Sequence, residues 1–147
     1  MGVAYYKLEG LAYLMDNPTT VSIIGQNSCI MGKLEINVVP VDTDGESEVP
    51  DDMIPEDPMD LLNQRMDFRV EIVRAFDLKE DFCKDIHCEY TFFLEEEKFS
   101  TEVVPGKNRE PVFNYVRHHT VDPCSKYFID YLLKENVRIF IRVMSSF

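Results

Sequence analysis

A chain of 147 residues that is 45% hydrophobic can bury one respectable core, and it has no apolar run long enough to span a bilayer. Its net charge of −12 disfavours a polyanionic ligand such as nucleic acid, and its four cysteines, Cys29, Cys83, Cys88 and Cys124, lack the paired spacing of a zinc site. The first residues have no charged start, apolar middle or cleavage site of a secretory signal, so one cytoplasmic domain with reduced thiols is expected.

Three strands are expected before position 42, at 3–14, 20–24 and 30–41. The third places Leu34, Ile36 and Val38 on one face and Glu35 and Asn37 on the other, and Gly25-Gln26-Asn27-Ser28 supplies a hairpin turn before it. Residues 42–60 then carry nine acids and no Lys or Arg, together with Pro50, Pro55 and Pro58. Most of the net charge therefore sits in one segment, which reads as a solvated, self-repelling loop, with a lure for a basic partner as the alternative.

Alternation resumes at 67–78, where Phe68, Val70 and Ile72 oppose Arg69 and Glu71. Ile86, Cys88, Tyr90, Phe92 and Leu94 repeat it, which turns Cys88 toward the core as a structural thiol. Two more strands, 98–104 and 112–121, flank a turn at 105–111. Asp122 as N-cap and Pro123 at the first helical position begin a short helix with Phe128, Tyr131 and Leu132 on one face. The last strand, 136–143, turns Val137, Ile139, Ile141 and Val143 inward and Arg138, Phe140 and Arg142 outward. About eight strands with one helix point to an all-β antiparallel sandwich.

Chemistry is sparse in this pattern. Cys83, His87 and Cys88 form one crowded group where zinc needs two ligand pairs. Calcium needs six to eight oxygens, and the loop with Asp77, Glu80, Asp81 and Asp85 has no later Asp-x-Asp loop to complete them, leaving the acidic run after Val41 as the one segment that could do so by proximity. No metal and no cofactor are expected. His118 and His119 are adjacent on a strand and point to opposite faces, and no nucleophile motif or pairing of His with a carboxylate is visible. No catalytic residue is assigned, and a cysteine-dependent enzyme ranks below two binding readings. One is an anionic membrane patch around Lys98, Lys107, Arg109 and Arg117, weakened by Glu95-Glu96-Glu97 beside it. The other is a protein contact through Phe140 with Arg138 and Arg142, or through Phe93.

A family resemblance rests on dispersed positions over nearly the whole chain. Asp77-Leu78, Asp85 and Pro111-Val112-Phe113-Asn114, with Glu110 in place of the usual Asn, resemble the first half of a C2 domain. Gly32-Lys33-Leu34-Glu35-Ile36, Val39-Pro40 with Asp42 and Asp44-Gly45, Asp57-Pro58, and Phe128 with Asp130-Tyr131-Leu132-Leu133 resemble the C2-like tail region of kinesin-3 motors. The resemblance implies a single C2-like domain of a longer polypeptide, with N-terminal strands at 3–41, an acidic loop at 42–66 and a C2-like core at 67–143. It also implies cargo attachment, dimer formation or folding back on the motor head, where the microtubule and ATP would be handled. An ordinary C2 domain has three further strands beyond Val143. The N-terminal strands are expected to replace them, because an incomplete sheet would expose apolar faces and bare edges. Pairing of 30–41 with 67–78, or with 136–143, is the test.

Overall fold

The computed structural model describes residues 2–15, 18–79, 84–92 and 98–143. The strands are β1 (Gly2–Lys7), β2 (Thr19–Ile24), β3 (Ile30–Val41), β4 (Met66–Phe76), β5 (Lys84–Tyr90), β6 (Phe99–Ser100), β7 (Val104–Lys107), β8 (Val112–Val121) and β9 (Asn136–Val143). Two helices, α1 (Glu9–Ala12) and α2 (Lys126–Lys134), accompany them. The strands form one curled antiparallel sheet in the order β6-β5-β9-β1-β2-β3-β4-β8, with β7 also on β5.

The expected completion by the N-terminal strands is what the sheet contains. β3 pairs with β4 from Lys33 opposite Phe76 to Val41 opposite Asp67. β1 pairs with β9, placing Ala4 opposite Ile139 and Tyr6 opposite Val137, and β2 links β1 to β3. Both halves of the sheet turn their apolar positions inward. Ala4, Ile23, Leu34, Phe68, Ile72, Cys88, Ile139 and Ile141 are all essentially inaccessible. Burial pushes the Cys88 thiol far above the usual range, as befits a core residue.

Curling brings the two ends of the sheet together through side chains. The Tyr90 hydroxyl on β5 lies 3.0 Å from the Tyr115 hydroxyl and 2.9 Å from His119 Nε2, both on β8. Phe99 on β6 meets the His119 ring edge-on at 4.6 Å, and the Arg117 guanidinium lies 4.7 Å over the Phe99 ring. Phe68 and Phe92 stack against the same imidazole from within the core. Adjacent His118 faces the other way, as strand geometry requires.

That seam carries a pH dependence. Burial, followed by the nearby charges of Arg117 and His118, lowers the His119 pKa to about 4. An unfolded His titrates near 6.5, so between the two values the unfolded chain binds the extra proton. Stability is complete above about pH 6.5 and is lost as pH falls toward 4. From pH 7.5 to 5 this single group costs about 2 kcal/mol. His119→Phe keeps the ring stack and removes the titration, so urea unfolding at the two pH values should show a smaller loss for the variant than for the wild type.

Several boundaries differ from the sequence reading. Residues 3–14 are not one strand, because Leu8, Leu11 and Ala12 recur at helical spacing and are buried together as α1 after β1 ends. The turn at 105–111 donates part of its length to β7, where the Asp85 carboxylate accepts the Gly106 N–H at 2.6 Å. Helix α2 is capped by Ser125, whose Oγ accepts the Phe128 N–H at 3.1 Å, and not by Asp122. The backbone of Cys124 is already committed to Gln64 and Asn63, so the helix starts beyond it.

Candidate functional site

The acidic segment is exposed, as its composition implies, but it is also folded. Its first turn is closed by Gly45 N–H to Asp42 C=O at 2.9 Å and Asp42 N–H to Ser47 C=O at 2.8 Å. Asp44 accepts the Ser47 hydroxyl and the Glu46 and Ser47 amides, and these bonds lower its pKa to about 2. Gly45 has φ of 80° and lies so close to His118 that a Cβ would stand 2.8 Å from Nδ1, so glycine is required there on both counts. Two 3₁₀ turns follow, at Asp51–Met53 and Pro58–Leu61. The second has a capping box in which Asp57 accepts the Met59 N–H while Asp60 accepts the Asp57 N–H. Leu61 is buried, and Asn63 and Gln64 are clasped to Cys124 by two backbone bonds.

This path roofs a cavity of about 380 Å³ beside the start of β4. Leu14, Val41, Val49, Met53, Ile54, Leu61 and Met66 give it an apolar lining, and Asp42, Asp52, Asp60 and Asp67 bring carboxylates to it. Arg65 is the basic residue of the lining. Its fork holds Asp67 at 3.0 and 3.2 Å. Asp67 lies on the outer face of β4 yet is 4% exposed, and it also takes His118 Nε2 at 2.8 Å and the Thr120 hydroxyl at 2.7 Å. Among the described residues, four of the exposed large apolar side chains fall in this region of the sequence: Met53, Ile54, Met59 and Leu62.

The Asp67 to His118 contact corrects the expectation that no His pairs with a carboxylate. His87 and Glu89 form a second such pair at 3.1 Å. Both were hidden from the sequence, the first because its partners are 51 positions apart and meet only in the β4–β8 register. In a triad the imidazole offers one nitrogen to the carboxylate and the other to the nucleophile. Here Thr120 and Asp67 both address Nε2, at 3.5 and 2.8 Å, while Nδ1 faces Gly45. The cluster fastens the loop to the sheet.

The contact residues expected from sequence are dispersed. Phe140 is half-buried, opposite Val3 on β1 and Glu89 on β5, and borders a shallow depression with Gly2, Ile24 and Arg142. Arg142 is bound to Glu89 at 2.7 Å and lies 5.4 Å over Phe140. Arg138 is exposed opposite Tyr5, which is 47% exposed. Arg109 donates to the Leu78 carbonyl at 2.9 Å, Arg117 covers Phe99, and Lys107 and Lys98 are exposed. Phe93, Glu95, Glu96, Glu97, Glu80, Asp81 and Cys83 lie outside the described residues. Among the described residues no three His, Cys, Asp or Glu side chains converge as metal ligands. Asp67 stands near the start of β4 and Asp77 follows its end, about 30 Å away along the strand, so the acidic segment and Asp77 lie at opposite ends of β4.

Over 136 residues, 90% of this chain, the sequence is 29% identical to kinesin-like protein KIF28 of Mus musculus. It is 26% identical over 135 residues to kinesin-like protein KIF28P of Homo sapiens. The chain is similar to these two kinesin-like proteins over nine-tenths of its length. It spans 13% and 14% of the length of those two kinesin-like proteins. No protein-family model matches it. Among the described residues, no helix is long and apolar enough to cross a membrane.

Proposed function

We propose that this segment is a non-catalytic C2-like module from the tail of a kinesin-3 motor, and that it mediates protein contacts through the face bearing the acidic loop. The contacts are cargo attachment or docking on other domains of the same motor, which would supply the ATPase and the microtubule contact. The observation that carries this reading is the pocket beneath residues 42–61, apolar inside and left uncovered, on a molecule whose His and carboxylate clusters act as fasteners. The dispersal of Arg109 and Arg117 into structural contacts argues against the phospholipid alternative.

A pull-down from cytosol with the wild type, Met53→Ser/Ile54→Ser and Phe140→Ala tests it, alongside flotation with anionic vesicles. Both loop residues are more than two-fifths exposed, so the double substitution should leave the fold intact. Partners lost only with the loop variant support the reading. Partners lost only with Phe140→Ala, or salt-sensitive flotation without protein capture, would replace it.

A further inference from the structure

Resting on that reading, we infer that the pocket beneath the acidic loop receives a basic amphipathic segment of a partner protein, its apolar side chain seated inside and its Lys or Arg residues spread along the rim. Two independent features of the pocket ask for the two halves of such a ligand. The cavity volume of about 380 Å³ falls within the range of pockets that enclose a compact apolar group. Leu14, Val49, Met53 and Ile54 offer such a group an apolar wall, and the carboxylates of Asp42, Asp52 and Asp60 stand in the same lining. Methionine is unbranched and polarisable, so a lip carrying the exposed Met53 can repack around apolar anchors of different shape.

Charge chooses between apolar ligands. The loop carries nine acids and no base from 42 to 60, and the one basic side chain of the lining, Arg65, is already neutralised by Asp67. Asp52 and Glu56 are exposed, so their carboxylates stand open to the bases of a ligand. An acidic or anionic ligand would meet this field as repulsion, and a second copy of a chain with net charge −12 would meet it twice over. A single small cation would engage only one or two of acids distributed along 19 positions. A segment whose bases recur along a helix, as in helix-in-groove recognition, engages them together.

Three fluorescein-labelled synthetic peptides titrated into the intact protein separate these contributions by fluorescence anisotropy. One is an amphipathic helix with Leu on one face and Lys on the other, the second has Glu for Lys, and the third has Ser for Leu. The Leu and Lys peptide should bind, more weakly by about tenfold as salt rises from low to physiological strength, and the other two should bind at least about tenfold less well. Asp52→Lys and Ile54→Asp should each weaken it about fivefold or more with unchanged thermal melts. Equal binding of the Glu or Ser peptide, no binding of the Leu and Lys peptide, or indifference to both substitutions overturns the inference. In that event the Met53→Ser/Ile54→Ser pull-down decides whether the docking reading also falls: partners lost there would mean a pocket used by a ligand of other chemistry.

Discussion

Removing residues 1–29 abolishes cooperative unfolding. The deletion takes out β1 and β2, which lie in the middle of the sheet and not at its margin. β1 is paired on one side with β9 over six positions and on the other with β2, and β2 carries the sheet on to β3. Without them, among the described residues, no backbone ladder connects the β6-β5-β9 half to the β3-β4-β8 half, only the side-chain bonds of Tyr90 remain between them, and both gain a bare edge. The core loses Ala4, Tyr6, Leu8, Leu11, Ala12 and Ile23, each 3% exposed or less. Tyr6 also loses its role as acceptor from the Val38 N–H. A domain of this size is stable by about 5–15 kcal/mol, and this loss exceeds that margin.

The measurement is urea unfolding followed by far-ultraviolet circular dichroism and tyrosine fluorescence. The wild type should give coincident sigmoids and the deletion a shallow, non-coincident drift. Ala4→Asp, which buries an unpaired carboxylate at a fully inaccessible site, should cost about 3 kcal/mol or more in the otherwise complete chain. A deleted chain that kept a steep transition would mean that the N-terminal strands decorate a sheet able to fold alone.

The central strands were legible because each obeys one rule over its whole length. Leu34, Ile36 and Val38, then Phe68, Val70 and Ile72, then Val137, Ile139 and Ile141 alternate inward without interruption, and all are buried. Even the pairing of β3 with β4 could be expected, since an open sheet of this pattern has apolar faces to cover. α1 was missed because four residues are too few to outweigh the β signal of the strand before it, although Leu8, Leu11 and Ala12 had helical spacing. β7 was missed because Pro105 and Gly106 mark a turn in any local reading, and only contact with Asp85 makes the segment pair with β5.

The pocket was the least legible feature. Composition correctly marks 42–60 as charged and poor in large apolar groups, and such a segment ordinarily has too little to bury to hold a shape. What shapes this one comes from elsewhere in the chain. His118 and Thr120 are brought to Asp67 by the β4–β8 register, Cys124 holds Asn63 and Gln64, and Gly45 fits against His118. None of those contacts has a local sequence signature. The capping box at Asp57 and Asp60 does have one, and Asp57-Pro58-x-Asp60 could have been read as an ordered turn inside the loop.

Asp67→Ala should destabilise the protein by about 3 kcal/mol near neutral pH, although the residue sits on the sheet's outer face. Its side chain is 3% exposed and accepts four hydrogen bonds, two from Arg65 and one each from His118 and Thr120. Burial pushes its carboxyl upward, but the bonds from Arg65, Thr120 and His118 outweigh that and leave it below the usual carboxylate range. Truncation leaves the Thr120 hydroxyl, the His118 imidazole and the Arg65 fork without their common acceptor, and a broken partly buried ion pair costs more than the surface pair is worth. Asp67→Asn should cost nearly as much, because its amide nitrogen turns a donor toward donors.

Because the folded value lies below the unfolded one, the carboxylate's contribution is complete above the ordinary range near 4 and is lost as pH falls through the folded value. The gap between wild type and Asp67→Ala should therefore narrow in acid. Urea midpoints at pH 7 and pH 3 measure this, and amide exchange at Thr43 to Ser47 measures the loop, which should open faster in the variant since His118 supports Gly45. A cost below about 1 kcal/mol with unchanged exchange would show that the loop holds its shape by packing alone, and the pocket's roof would then owe nothing to Asp67.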